Sequence, residues 1–338
     1  MGYQISSRNV LSWMNIYCTY FNSGYLDRAV VLLRSLAVVD PGFRIEVLCF
    51  DDQAYSFFMQ HHFHGVVPHR LSDFEERNPD LLAVKTTRTI AEYFFTCTSV
   101  WTADVAKRNR AIDFVTYLDC DMRFFDSPSK VFDMMVDKDI MICPHYYSRN
   151  SEIAEKYGKY NVGWLTFRSN DVGMECLNTW RNNCIEWCYE RLEPNRYADQ
   201  KYLDDWPLKY GDRLLEAPLE LDLGPWGIKP GAFSRVNGQP YIEGIPIIIY
   251  HFQGLRLYSE RLFYMGHCFH QSIVGILKGL YEPYIQELLS VHKEFELPHS
   301  FGNARRKSGG ILRQLATGYW LGHPHLSEVL RWVQRLAR

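Results

Sequence analysis

The chain has 338 residues, 47% of them hydrophobic and 15% aromatic, which is enough to bury the core of one large α/β domain or two smaller ones. This composition excludes a disordered chain. The net charge of −2 is unevenly distributed, because residues 301–338 carry seven basic residues and one acid, +6 in all, and the first 300 residues carry −8. A uniformly basic nucleic-acid binder is therefore excluded, and no nucleic-acid partner is expected.

The spacing of the cysteines and the sequence of the N-terminus indicate the cellular compartment in which the protein is expected. Nine cysteines are scattered along a long chain, which is not the pattern of a disulfide framework. The first residues lack the apolar core of a signal peptide, and no apolar run approaches the about 20 residues that span a bilayer. We therefore expect a protein of the reducing cytoplasm.

Hydrophobic periodicity predicts alternating strands and helices. A strand over 13–20 is followed by a helix over 26–37, which Pro41-Gly42 ends, and by a second strand over 44–50. This order predicts a parallel, right-handed crossover unit. The later predicted elements are a helix over 86–106, strands at 114–118, 141–143 and 160–167, a helix over 172–192 and a buried strand over 245–252.

Two carboxylates, Asp119 and Asp121, directly follow the apolar run 114–118. Alternate residues of a strand point to opposite faces, so both carboxylates can reach one ligand only if the chain bends just after the strand. The carboxyl end of a buried strand is where open α/β sheets bind ligands. Two converging carboxylates without an adjacent base can seat a hard divalent cation, with a diphosphate as a further ligand. A strand end with a solvated Asp is the alternative.

Three other element ends carry polar residues. Asn161 and Gly163 stand at the start of a strand, where they could contact a sugar hydroxyl or simply form a turn. Asp199 opens a short helix and is either a ligand-binding residue or an N-cap. His251 ends an apolar run and is either a ligand or a buried histidine at the end of a strand.

Together these residues form an ordered set of four motifs: Asp119-x-Asp121, Asn161-x-Gly163, Asp199-Gln200 and His251-Phe252-x-Gly254. Over residues 13–257 this order resembles the retaining glycosyltransferases of the family-eight type, which include bacterial lipopolysaccharide galactosyltransferases and glycogenin. The resemblance implies an α/β protein of the GT-A fold, with a single mixed central sheet and a Rossmann-like nucleotide-binding half. We expect this domain over 1–290 and a basic helical C-terminal extension over 291–338.

The resemblance also implies roles for individual residues. Asp119, Asp121 and His251 would hold Mn²⁺, with Mg²⁺ as the alternative. Asp199 would bind donor-sugar hydroxyls, and Gln200 would lie at the anomeric carbon opposite the leaving nucleotide; these two are the predicted catalytic residues. The predicted donor-binding residues are Thr19, Tyr25, Lys85, Arg88, Asn161, Gly163 and Arg256.

The function implied is metal-dependent transfer of a sugar from a nucleotide-diphosphate donor, expected to be a UDP-sugar, to a glycan or lipid-linked acceptor in bacterial surface polysaccharide synthesis. The neutral Gln200 favours retention by front-face attack over a covalent intermediate. A sugar-1-phosphate nucleotidyltransferase would need a Gly-rich, Arg-containing loop after the first strand, which residues 19–24 lack. An Asp-x-Asp phosphatase would have Thr or Val two residues after the second Asp, where this chain has Arg123. A catalytically inactive nucleotide- or glycan-binding scaffold of the same fold is the alternative.

The C-terminus carries a separate signal. From Ser327 on, apolar residues alternate with Arg331, Arg335 and Arg338, which predicts a basic amphipathic helix. Such a helix can lie on an anionic membrane or dock on its own domain. We therefore predict a cytoplasmic protein, with peripheral contact to the inner face of the cell membrane and docking of the helix on its own domain as the two alternatives.

Overall fold

The computed structural model describes residues 14–147, 155–229, 231–259, 262–265, 273–297 and 318–320. The described strands, in chain order, are β1 (Asn15–Phe21), β2 (Ile45–Cys49), β3 (Val66–Arg70), β4 (Phe114–Leu118), β5 (Met122–Phe124), β6 (Ile140–Pro144), β7 (Tyr160–Arg168), β8 (Leu214–Glu216), β9 (Phe233–Val236), β10 (Gln239–Ile242), β11 (Ile245–Pro246), β12 (Ile249–His251), β13 (Leu255–Leu257), β14 (Leu262–Met265) and β15 (Gly318–Trp320).

The described α-helices are α1 (Leu26–Val39), α2 (Asp52–Gln60), α3 (Leu71–Arg77), α4 (Pro79–Val84), α5 (Ile90–Arg108), α6 (Ser129–Met134), α7 (Asp171–Glu186), α8 (Trp206–Tyr210), α9 (Ile273–Ile276) and α10 (Glu282–Glu294). Short 3₁₀-helices occur at Ser23–Tyr25, Lys85–Thr87, Lys201–Asp205, Gly211–Arg213 and Leu219–Leu221, and a short π-helix occurs at Leu277–Tyr281.

The centre of the molecule is a mixed sheet of seven strands in the order β3-β2-β1-β4-β7-β6-β8. Strands β3, β2, β1 and β4 are parallel, and β7 is antiparallel to both of its neighbours, β4 and β6. The parallel pairing of β1 with β2 confirms the predicted crossover unit. The mixed sheet confirms the predicted fold class.

Helices cover both faces of this sheet. Alternate residues of β1 and β4 belong to two different hydrophobic clusters, because a pleated strand that is buried on both sides sends successive side chains to opposite faces. One cluster includes α1 and α10, and the other includes α5 and α7. Strands β2 and β4 are buried at every position, including the polar Glu46 and Thr116, as their mostly apolar sequences predict.

Most predicted elements are confirmed with shifts of a few residues at their ends. The helix predicted over 86–106 is α5, which begins at Ile90 because Thr89 and Glu92 form a capping box there. The helix predicted over 172–192 is α7, which ends at Glu186. That prediction was six residues too long, because Trp187 is extended and tertiary contacts bind carbonyls around the helix end: Arg88 donates to Ile185 O (3.1 Å) and the Tyr202 hydroxyl to Trp187 O (2.8 Å).

The single buried strand predicted over 245–252 was wrong. The structure divides it into β11, which belongs to a three-stranded sheet with β10 and β9, and β12, which pairs antiparallel with β5. Between them, Ile247 N donates to Pro240 O (3.0 Å) and Ile248 N to Glu220 O (2.9 Å), so the two halves have different partners.

The last described helix packs back onto the domain. α10 contacts α1 through a buried hydrogen bond between His292 Nε2 and Asp27 Oδ2 (3.1 Å) and through an exposed ion pair between Arg34 and Glu294. The division at residue 290 stays a prediction. The helix predicted from Ser327 lies outside the described residues. Within the part of the chain that is described, no helix has the length and apolar character that crossing a membrane requires.

Candidate functional site

The chain bends directly after β4, as the paired carboxylates predicted. Asp119 N donates to Gly163 O of β7 (2.8 Å), which continues the pairing of β4 by one residue. Asp121 then begins a separate short ribbon, because its carbonyl accepts a hydrogen bond from Phe252 N (2.9 Å). The change of partner between Asp119 and Asp121 lets both side chains face the same side.

His251 completes this cluster. The antiparallel pairing of β12 with β5 places His251 opposite Met122, so the imidazole lies beside Asp121. His251 Nε2 is 3.0 Å from Asp121 Oδ1 and 3.5 Å from Asp119 Oδ2. One potential ligand atom from each of the three side chains lies within 4.8 Å of the others. Two carboxylates and an imidazole are a suitable donor set for Mn²⁺ or Mg²⁺, so the residues fit a divalent cation.

The charges of the cluster are strongly coupled. Burial raises the pKa of Asp119 above its usual range, and the Asp121 carboxylate adds to this effect while His251 opposes it. Burial also acts to raise the pKa of Asp121, but the charge and hydrogen bond of His251 outweigh burial and hold that pKa below its usual value. Burial disfavours a charged His251, yet the carboxylates of Asp121 and Asp119 raise its pKa to about 9.

Two residues that sequence analysis did not identify support these carboxylates. The Tyr117 hydroxyl, buried on β4, donates to Asp119 Oδ1 at 2.6 Å. Arg28 is buried on α1 and donates to Asp27 (3.1 Å) and to Leu255 O (3.2 Å), and its charge lowers the pKa of Asp121. The i, i+2 spacing of Tyr117 and Asp119 could have indicated the first contact, but no local signal marks Arg28 as buried.

Tyr25 lies beside the cluster at the start of α1. The Arg28 guanidinium lies 5.0 Å from the centre of its ring. Burial and the Asp121 charge raise the pKa of Tyr25 to about 12, although 44% of the residue is exposed. Thr19, the other predicted base-binding residue, is buried within β1, and its carbonyl accepts a hydrogen bond from Trp101 Nε1 (3.1 Å). Their donor-binding roles stay predictions.

Asn161 and Gly163 lie on β7 next to His251. Asn161 is buried; its Nδ2 donates to Cys143 O (3.2 Å), and its Oδ1 accepts a hydrogen bond from Gly163 N (2.8 Å). A Cβ atom at Gly163 would lie only 2.7 Å from His251 Nδ1 and 2.9 Å from Asn161 Oδ1. Glycine is therefore the residue that leaves room for the His251 ring.

Of the predicted catalytic pair, Asp199 lies near enough to the cluster for its charge to act on Asp119, and the catalytic roles of Asp199 and Gln200 stay predictions. Asp199 is 5% exposed, and burial raises its pKa to about 7, with a hydrogen bond from Thr98 opposing the rise. The charge of Asp199 also contributes to the raised pKa of Asp119, which places the two carboxylates in one electrostatic environment. Asp199 is not the N-cap of the following 3₁₀ turn, a position that Gln200 occupies. Gln200 Nε2 donates to Tyr157 O (2.9 Å).

The three predicted basic residues of the donor site make other contacts or are exposed. Lys85 Nζ forms an ion pair with Glu75 at 2.6 Å. The Arg88 guanidinium stacks 3.9 Å from the centre of the Tyr189 ring. Arg256 is the exposed residue of β13. Their roles toward a donor stay predictions.

Two bacterial proteins are similar to this chain in sequence. No family model matches the chain. The chain is 27% identical over 293 residues to the uncharacterized protein YfnF of Bacillus subtilis (strain 168), covering 84% of this chain and 91% of YfnF. It is 25% identical over 275 residues to YfnD of the same organism, covering 80% of this chain and 88% of YfnD.

Solved structures show the fold. The galactosyltransferase LgtC, in complex with donor and acceptor sugar analogs, is similar with a TM-score of 0.50 and 16% identity over 82% of this chain and 96% of LgtC. An active-site mutant of LgtC is similar with a TM-score of 0.50 and 15% identity over the same shares. The protein therefore has the GT-A fold. Within that fold it resembles the family-eight type represented by LgtC, as the order of the motifs predicted.

Proposed function

We propose that this protein is a metal-dependent glycosyltransferase that moves a sugar from a nucleotide-diphosphate donor to a glycan or lipid-linked acceptor. The observation that carries the proposal is the Asp119–Asp121–His251 cluster, which lies at the carboxyl end of β4 in a sheet of the GT-A fold. A UDP-sugar is the proposed donor, Mn²⁺ the proposed ion and Mg²⁺ its alternative.

The three cluster residues would hold the ion, and the surrounding residues would hold them in place. A divalent cation in this position would neutralise the diphosphate and stabilise the charge that grows as the sugar–phosphate bond breaks. The Tyr117 hydroxyl orients Asp119 through a hydrogen bond of 2.6 Å, and the positive charge of the buried Arg28 favours the ionised form of Asp121. Asp119 is the most open of the three ligands, with 33% of its side chain exposed, so a donor would approach from its side.

The proposed retention of stereochemistry rests on the predicted catalytic residues Asp199 and Gln200. The hydrogen bond from Gln200 Nε2 to Tyr157 O orients the amide. An amide oxygen can support positive charge at the anomeric carbon but is a poor nucleophile, so a covalent sugar–enzyme intermediate is disfavoured. We propose front-face attack, in which the acceptor oxygen forms the new bond, the bond to the phosphate breaks and the leaving phosphate takes the acceptor's proton. Asp199 would bind hydroxyls of the donor sugar.

The test is ligand-dependent stabilisation of the full chain. Thermal unfolding is measured with UDP, GDP, CMP and dTDP, each with and without Mn²⁺, for wild type and Asp121→Asn. A ligand at a hundred times its Kd adds about 2.7 kcal/mol to the free energy of unfolding. We expect UDP to stabilise the wild type only with Mn²⁺ and the variant not at all.

The companion assay measures metal-dependent hydrolysis of UDP-sugars. Stabilisation by UDP and Mn²⁺ without any turnover would favour the inactive scaffold. No response to any nucleotide would contradict the proposed site.

We also propose a role in bacterial surface polysaccharide synthesis at the inner face of the cell membrane. The order of the motifs and the basic C-terminal sequence support this proposal. Co-sedimentation with vesicles that contain anionic lipid tests the membrane contact. Replacing Arg331, Arg335 and Arg338 together by Glu should abolish binding, since each basic residue contributes about 1 kcal/mol near such a surface. Equal sedimentation of both proteins would contradict the membrane role.

A further inference from the structure

The His251 ring has a second nitrogen whose surroundings the proposed metal site does not explain. Nε2 faces Asp121 and Asp119, whereas Nδ1 points to the opposite side of the ring, where it is buried. Among the described residues, no group makes a hydrogen bond to Nδ1. A buried polar group that stays unpaired destabilises the fold, so a partner is expected close by.

Asp222 lies on that side of the ring. It is 3% exposed, and burial raises its pKa to about 6, a rise that the charge of His251 and the neighbouring Asn161 amide and Cys143 thiol oppose. Among the described residues, none of these neighbours reaches either carboxylate oxygen with good hydrogen-bond geometry. The chain holds it beside β12, because the next residue, Leu223, accepts a hydrogen bond from His251 N (2.9 Å) and forms a parallel bridge with Tyr250. An unpaired buried carboxylate destabilises a fold, so packing alone does not account for an Asp here.

The unpaired atoms of both residues face one small space. The point that a Cβ of Gly163 would occupy lies 2.7 Å from His251 Nδ1 and 3.1 Å from Asp222 Oδ2. Asn161 Oδ1 lies 2.9 Å from the same point, but it already accepts a hydrogen bond from Gly163 N. Asp222 is therefore the anionic acceptor that faces Nδ1 across the space above Gly163.

We propose that Asp222 is a positioning residue for His251: its carboxylate accepts a hydrogen bond from Nδ1–H, which keeps the proton on Nδ1 and presents an unprotonated Nε2 to the cation. This inference rests on the metal site of the proposed function. A histidine that binds a metal commonly donates its other ring N–H to a carboxylate, which determines the tautomer and the ring orientation and makes the ligating nitrogen more basic. The sequence Leu221-Asp222-Leu223 carries no motif that would indicate this role.

Mn²⁺ affinity of the full chain tests the proposal, measured from the electron paramagnetic resonance signal of the free ion. We expect Asp222→Ala to weaken Mn²⁺ binding about 10- to 100-fold, the loss that removal of such an outer partner typically causes. Asp222→Asn keeps the shape and one acceptor oxygen, so it should retain part of the affinity. Glu220→Gln is the matched control: it removes the same charge two residues away, and its affinity should equal that of wild type.

Nuclear magnetic resonance of the Mg²⁺-bound protein gives a readout that a purely structural role would not change. With ¹⁵N-labelled histidine, wild type should show His251 protonated at Nδ1, with His251→Gln identifying the signal. Asp222→Ala should lose that single tautomer while the other histidine signals stay in place. A mixed His251 tautomer in wild type would overturn the role of Asp222.

The binding outcomes separate this inference from the proposed function. If wild type binds Mn²⁺ and the Asp222 variants bind it equally well, Asp222 has no positioning role and the proposed function stands. If wild type binds no Mn²⁺ at all, the metal site fails and this inference fails with it.

Discussion

Replacing Gly163 by Ala should damage the metal site through a single methyl group. The new Cβ would lie 2.7 Å from His251 Nδ1 and 2.9 Å from Asn161 Oδ1, both closer than van der Waals contact allows. The Asn161 amide donates to Cys143 O, and His251 is held in β12. The overlap can therefore be relieved only by a shift of the His251 ring, and this shift would move Nε2 away from Asp121.

The magnitude follows from overpacking. Inserting a methyl group into a packed site costs about 1–3 kcal/mol. A chain of this length unfolds with an entropy of about 0.7 kcal/mol per kelvin, so the metal-free Tm should fall by about 1.5–4 °C. Saturating Mn²⁺ should raise the wild-type Tm by about 4 °C at a hundred times its Kd, and Gly163→Ala should lose most of this rise.

Gly42→Ala is the matched control for this experiment. Gly42 has no atom within 4 Å of its added Cβ, and its backbone is not in the left-handed region. Alanine there should be neutral or slightly stabilising, with a full response to Mn²⁺. Differential scanning fluorimetry with and without Mn²⁺ compares the three proteins. A Gly163→Ala protein with the Tm and the Mn²⁺ response of Gly42→Ala would refute the argument that His251 needs this space.

Two further predictions concern buried polar side chains. Tyr117→Phe removes the 2.6 Å hydrogen bond to Asp119, so Mn²⁺ affinity measured by calorimetry should fall about 10-fold or more, and an unchanged Kd would contradict the role of Tyr117. Burial opposes ionisation of Glu46, but hydrogen bonds from His69 and Arg108 lower its pKa from 4.5 to about 2. Its stabilisation is therefore present above pH 4.5 and is lost as the pH falls toward 2. In urea unfolding, Glu46→Gln should lose about 3 kcal/mol at pH 7 and less than half of that at pH 3, and an equal loss at both values would contradict this assignment.

Local patterns were sufficient to predict much of the framework. Strands β2 and β4 have both faces buried, so apolar residues occupy most positions of each rather than alternate positions, with the ion-paired Glu46 as the charged residue of β2. The helix α5 was predicted from its periodicity but four residues too early, although the local capping box of Thr89 and Glu92 marks its start. The bend after β4 was predictable from the i, i+2 carboxylates Asp119 and Asp121, because a regular strand cannot direct both to one side.

Long-range pairing decided what local patterns could not. The run 245–252 is apolar except for His251, so its sequence does not show that β11 and β12 pair with different strands. Likewise, the end of α7 at Glu186 depends on Arg88 and Tyr202, which bind its last carbonyls from distant parts of the chain.

The candidate site divides in the same way. The sequence by itself determined which residue types stand at the ends of strands: Asp119, Asp121 and His251 each follow or end an apolar run. Only the tertiary structure decided that β12 lies against β5, which brings His251 to within 3.0 Å of Asp121, and that Asp222 lies behind the ring. The physical reason is that a strand's side-chain pattern specifies which face is buried, whereas the partner it meets depends on the packing of the whole chain.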